Sequence, residues 1–509
     1  MKASPRLAAL FGLGLSLAIN VAARDKWIHA RTEHFEMFSC AGRDESRRLL
    51  ANLEQFRAVF RALHPNPWAR DPRTTVVAFS TGRQFDPYKP RFQGKTTDVD
   101  GYCIAWSDEV EIALSIQHQF EAANEIIFHE YTHQLLGAGE DKPPLWLNEG
   151  MAEVFSSFRI EGDSYELGRE QRGLAAVLRN SRLMPLGRLF AVTEKSPEYH
   201  AGVVRDVFYA ESWALVHYLV CGKDRATNLP KLTRFLELMS APGATTEASF
   251  REAFGLSYAE MEANLRRYLE GGSYFIRRDK LPLGDLSATI DFQPADDFDR
   301  EVALINLRWR VDQDADATYR LLQLAESHPE SPRPHEVLAA VAMEKGDTEG
   351  ALLHWRRAVD LGSANPYIIV QVARDRLNPI VSGFTPDYRM PLEVAAPLRM
   401  WVDRAVALSP TYDDAYEAVA LVEAMAGQPR LEAVNAVLDR VPTMRHKDRT
   451  LFALAVVYWR QHKFPTSRAI AEALLRATSP SAELKELVRR LLERLPPPEP
   501  AAVGKTGLH

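Results

Sequence analysis

His129-Glu130-Tyr131-Thr132-His133 sits inside a segment, Phe120 to Leu136, whose Ile126, Ile127 and Phe128 give it an apolar, helix-forming approach. Residues four apart share one face of a helix, so both imidazoles can reach a single ion. Neutral imidazole in a tetrahedral arrangement suits zinc. Glu130 lies beside that face, where it can act on a water at the ion without binding the ion itself. Past a Pro143-Pro144 turn comes Leu145-Trp146-Leu147-Asn148-Glu149-Gly150-Met151-Ala152-Glu153. Glu149 follows His133 by sixteen positions. A short helix folded back across the first would bring its carboxylate to a third ligand position. Glu153, one turn later, falls on the same face and is placed to accept the free ring N–H of His129. Trp146, Leu147, Met151, Val154 and Phe155 surround the two acids, a setting too apolar for a solvated helix face.

Working outward, residues 26–115 read as a small α/β unit. His34 to Phe38 alternates like a strand, and Glu45 to Leu63 carries Leu49, Leu50, Leu53, Phe56, Val59, Phe60 and Leu63 at helical spacing. Thr74 to Phe79 is rich in β-branched residues. Tyr102 to Trp106 and Glu109 to Leu114 are expected to form a hairpin. Beyond the histidine segment, helices are predicted over Leu147–Phe158, Arg169–Arg179, Phe208–Val220 and Tyr258–Leu269, the last capped by Ser257. The fold class expected is α+β: a small mixed α/β N-terminal lobe and a mainly helical second lobe, together spanning 24–295.

Between Gly271 and Phe298, Gly272, Pro282, Gly284 and Pro294 interrupt helical patterning, which places a domain boundary near residue 295. Residues 296–495 then repeat helix pairs in a register similar to the tetratricopeptide repeat, giving an all-α domain. Leu338, Ala339, Ala351, Trp355 and Ala358 supply its small and large interlocking positions. Ala405 and Pro410 close one unit, and Tyr416, Val419 and Ala420 open the next. The period is degenerate and is broken at Pro379 to Pro391. Stacked repeats of this kind leave a concave surface for a peptide or protein partner; the alternative is a helical bundle that only caps the first domain. The Pro-rich tail, 496–509, is expected to be disordered.

The chain has 509 residues, too many for one core, and a formal net charge of -6, which gives no electrostatic footprint for nucleic acid. Lys2 and Arg6 precede an apolar run ending Val21-Ala22-Ala23, the parts of a secretory signal peptide over 1–23. An exported protein, periplasmic or secreted, is therefore expected, with an uncleaved N-terminal anchor as the competing reading. No later segment reaches membrane length. Of the three cysteines, Cys40 and Cys103 are the expected pair if one disulfide forms, and three free thiols are the alternative.

The combination of His129 to His133 with Trp146-Leu147-Asn148-Glu149-Gly150 resembles the gluzincin (thermolysin-like and aminopeptidase-type) zinc metallopeptidases, and within them an exported bacterial family. The resemblance covers roughly residues 26–270. It implies one zinc ion held by His129, His133 and Glu149, with Glu130 as general base in peptide-bond hydrolysis. The metzincin alternative fails, because positions 136 and 139 are Leu136 and Gly139 rather than glycine and histidine. Tyr209-Ala210-Glu211-Ser212-Trp213 resembles the helix start whose tyrosine stabilises the tetrahedral intermediate in aminopeptidase-type members. That assigns Tyr209 an oxyanion role, the alternative being a tyrosine packed at a helix end; His200 and His217 are further polar candidates, better read as structural histidines. No Gly-x-Met-x-Asn segment occurs between residues 80 and 128, so amino-end specificity is not implied and endopeptidase action stays open. An extended peptide is expected along Tyr102–Trp106 or Glu109–Leu114. Two other classes remain: a repeat-type binding scaffold with a structural or inert zinc, and a zinc hydrolase of cell-wall amides.

Overall fold

The computed structural model describes residues 26–64, 73–92, 94–106, 109–116, 120–137, 143–200, 202–239, 247–272, 274–286, 288–312 and 315–497. The expected leader, 1–23, and residues 498–509 of the expected tail lie outside them. Among the described residues, no helix is long and apolar enough to cross a membrane.

The main sheet has six strands: β1 (Ile28–Arg31), β2 (Phe35–Ser39), β3 (Arg73–Phe79), β4 (Gly101–Ala105), β5 (Glu109–Ser115) and β6 (Gln293–Pro294). Their order is β6-β1-β2-β3-β5-β4. The β2–β3 and β3–β5 pairs are parallel and the others antiparallel. The helix Arg43–Leu63 makes the crossover from β2 to β3 and buries Leu49, Leu53, Phe56 and Phe60 against the sheet. Period-two alternation sorts the strand residues. Val76, Ala78, Cys103, Val110, Ile112 and Leu114 join the inner core with that helix, whereas Val77, Phe79, Tyr102 and Ala113 join a second cluster on the outer face.

This topology corrects two expectations. Among the described residues, Cys40, Cys103 and Cys221 form no disulfide. Cys40 follows β2 while Cys103 is on β4, three strand positions away, or about 14 Å at the usual strand spacing. That is beyond disulfide reach. Glu109 to Leu114 cannot accept an added strand, because β5 is paired on both sides; β4 forms the edge.

Three helices pack beyond the sheet: the histidine helix (Phe120–Leu136), the glutamate helix (Leu145–Ser156) and the tyrosine helix (Gly202–Val220). Aromatic packing fixes the first: Phe128 stacks on Phe56 at 4.3 Å and meets Phe158 edge-on at 5.5 Å. The tyrosine helix starts at Gly202, so Tyr209 lies two turns inside it rather than at its start. The helix expected from Arg169 begins at Arg172, because Ser164–Leu167 pairs with Arg159–Glu161 and Arg277–Lys280 in a three-stranded ribbon. Ser257 caps Tyr258–Glu270 in a reciprocal box with Glu260.

From Asp297 the chain is helical. Helices starting at Arg333, Pro366, Asp413, Asp448 and Ala482 open successive turns of the array. The long step lies between Pro366 and Asp413, where Pro366–Ser382 continues through Pro379 before Leu392–Leu408 begins. Its first helix, Asp297–Asp312, covers the outer face of the main sheet and buries Leu307 among Val77, Phe79, Phe85 and Tyr102. Polar residues complete this contact. Asn306 Nδ2 donates to Glu111 Oε1 at 2.6 Å, the Arg310 guanidinium stands 4.3 Å over the Trp106 ring, and Arg333 Nη2 donates to Glu36 Oε2 at 3.1 Å.

Candidate metal centre

Helical spacing puts His129 and His133 one turn apart, with ring centroids 4.9 Å apart and planes nearly perpendicular. Their Nε2 atoms are 3.3 Å apart. The glutamate helix brings Glu149 Oε2 to 3.8 Å from His129 Nε2 and 3.6 Å from His133 Nε2. Two donors at zinc bonding distance from one tetrahedral ion stand about 3.3 Å apart. The three atoms therefore surround a point with the chemistry and spacing of a two-nitrogen, one-oxygen zinc site. They are the only such His/Cys/Asp/Glu group among the described residues.

Gly150 explains why the glutamate helix can lie so deep. A Cβ there would overlap the Ser212 carbonyl oxygen and the Val216 side chain, so the glutamate and tyrosine helices approach backbone to backbone. Glu149 is left 3% exposed, its carboxylate directed at the histidines.

Each imidazole has a polar neighbour at its Nδ1. His133 Nδ1 donates to Asn148 Oδ1 at 2.9 Å, which leaves the Nε2 lone pair facing Glu149. His129 Nδ1 faces Glu153 Oε1 at 3.8 Å, an ion-pair separation longer than a hydrogen bond. The Glu153 expectation thus places the right residue beside the right ring at greater distance, and Asn148 is an orienting group that sequence reasoning quoted without a role.

Electrostatics favour the ligating forms. Burial, reinforced by His133, pushes the His129 imidazole down to about 3, so it is neutral. Burial, with Glu149 and Glu130 nearby, raises Glu153 to about 7. Burial also raises Glu130, with His133 opposing and Glu149 adding to the effect. Three carboxyl groups crowd the two imidazoles, a site at which a divalent cation would favour the ionised acids.

Tyr209 faces this cluster from the tyrosine helix, and burial together with the Glu149 carboxylate keeps its phenol protonated. Tyr199, from the helical turn Pro197–His200, donates to Glu149 Oε1 at 3.2 Å and stacks on Tyr209 with centroids 6.1 Å apart. No sequence signal marks Tyr199; fifty positions separate it from Glu149. His217 is fully buried and spends both ring nitrogens on structure, Nε2 at 2.7 Å from the Gly168 carbonyl and Nδ1 at 2.7 Å from the Tyr268 hydroxyl. His200 is exposed and stands outside the ligand group.

No family model matches the chain, and no curated protein matches it.

Proposed function

We propose that the chain is a gluzincin-like zinc peptidase that hydrolyses peptide bonds. One observation carries the reading: His129 Nε2, His133 Nε2 and Glu149 Oε2 converge from two helices to within 3.3–3.8 Å of one another. Zinc bound there would polarise the scissile carbonyl and acidify an attacking water. With zinc bound, Glu130 would take the proton of such a water and pass it to the leaving amine, and its raised affinity for protons suits both transfers. Tyr209, held as a neutral phenol, donates to the developing oxyanion. Asn148 keeps the His133 imidazole aimed, and Glu153 stands beside the His129 ring. The strand β4, Gly101–Ala105, is the sheet edge among the described residues, lies against the histidine helix and would take an extended peptide along that edge.

The same reading takes the helices from Asp297 onward as a tetratricopeptide-like surface for a protein partner, and residues 1–23 as an export signal. The test is metal dependence: stripping the purified chain with a chelator should abolish cleavage of a peptide mixture, and zinc should restore it. Cleavage that survives complete zinc removal contradicts the proposal.

A further inference from the structure

The two oxygens of Glu149 have different surroundings. Oε2 faces the histidine nitrogens, while Oε1 accepts the Tyr199 hydroxyl at 3.2 Å. A carboxylate can ligate through one oxygen or both. A donor on the outer oxygen favours the one-oxygen mode, and one-oxygen ligation keeps a fourth position open for water or substrate.

Tyr199 has a single hydroxyl proton, committed to Glu149, so toward Tyr209 it can only accept. The two rings are stacked within 11° of parallel, with centroids 6.1 Å apart, so the Tyr199 ring is a wall against which the Tyr209 ring rests. The turn that carries Tyr199 is itself anchored. Buried Glu198 accepts from Arg188 Nε at 2.8 Å, the Tyr199 amide donates to the Ser196 carbonyl at 3.0 Å, and Phe208 meets the Tyr199 ring edge-on at 6.3 Å.

We infer that Tyr199 is a positioning residue of this centre: its hydroxyl holds Glu149 in one-oxygen presentation to the ion, and its ring, stacked on Tyr209, fixes where that phenol lies. The inference rests on the zinc-peptidase reading above. One side chain thus meets both the third ligand and the oxyanion donor, through its hydroxyl and its ring, so its loss touches metal affinity and turnover together.

The test compares wild type, Tyr199→Phe, Tyr209→Phe and His133→Ala as full chains. Zinc affinity of the stripped proteins is read by competition with a chromophoric chelator, and kcat is read at saturating zinc. Tyr199→Phe should weaken zinc binding about 10- to 100-fold, the range for loss of a group that orients a ligand. Tyr209→Phe should stay within about threefold of wild type, because it does not touch the ligand. Both should lower kcat. Zinc binding by Tyr199→Phe equal to wild type overturns the inference, as does a loss confined to the melting temperature of the zinc-free protein. Wild-type affinity no better than that of His133→Ala overturns the metal-centre reading itself, a different result from either.

Discussion

His133 Nδ1 and Asn148 Oδ1 are 2.9 Å apart, which ties the second histidine of one helix to the residue beside the third ligand on another. The bond fixes the tautomer that frees Nε2 for an ion. Asn148→Ala should therefore weaken zinc binding about tenfold or more, measured by chelator competition, with the fold intact. Asn148→Asp, which keeps an acceptor at the same place, should recover most of that loss.

Gly150 sits where the glutamate and tyrosine helices touch, and a methyl group there meets Ser212 backbone and Val216. Gly150→Ala should cost about 1–3 kcal/mol through forced separation of the helices, seen as a lower melting temperature. Zinc affinity should fall with it, since Glu149 moves too. Gly173, whose added methyl meets nothing within 4 Å, is the control. Gly173→Ala should be neutral or slightly stabilising, because alanine is the better helix residue.

Arg310 reaches from the helix Asp297–Asp312 to the outer face of the sheet, with its side chain 2% exposed and 3.8 Å from Glu109 and 3.9 Å from Glu111. Removing one partner of a buried ionic cluster costs about 3–5 kcal/mol. Arg310→Ala should show that loss in denaturant unfolding, and it should disturb β4 and β5 as well as the helical array. An effect limited to the helices would mean that the two parts fold independently.

Glu211 is fully buried on the tyrosine helix, where Oε2 accepts the Met184 amide at 2.7 Å. Burial, with Glu262 adding to it, raises its carboxyl to about 8 from 4.5. Between those values the unfolded chain has released a proton that the folded chain keeps. Stability should thus be full below about pH 4.5 and fall as pH rises toward 8. Glu211→Gln, which mimics the protonated form, should flatten that decline in pH-dependent melting curves.

What the sequence made legible was local. His129 and His133 lie one helical turn apart, and Glu149 belongs to a neighbouring helix, so helical geometry and a short connection suffice to bring them together. Tyr199 depends on a tertiary contact across fifty residues and carries no periodic signal. The Cys40–Cys103 pairing failed because the order β2-β3-β5-β4, with β4 returning to the edge, is a property of the whole sheet. Glu109 and Glu111 alternate with apolar residues as on a solvated strand, yet Asn306 and Arg310 cover them from almost two hundred residues away. The start of the tyrosine helix was missed for a related reason: Val203 and Val204 are exposed, so its first turns lack an amphipathic pattern.

The most direct measurement is cleavage of an unbiased peptide mixture by the zinc-loaded chain, followed by mass spectrometry, with Glu130→Gln run at equal zinc occupancy. Cleavage by the wild type and its loss in Glu130→Gln, zinc affinity unchanged, is the expected result, and the fragments will separate internal from terminal cutting. Equal cleavage by both proteins, or none by either with zinc bound, would contradict Glu130 as the base of a zinc peptidase.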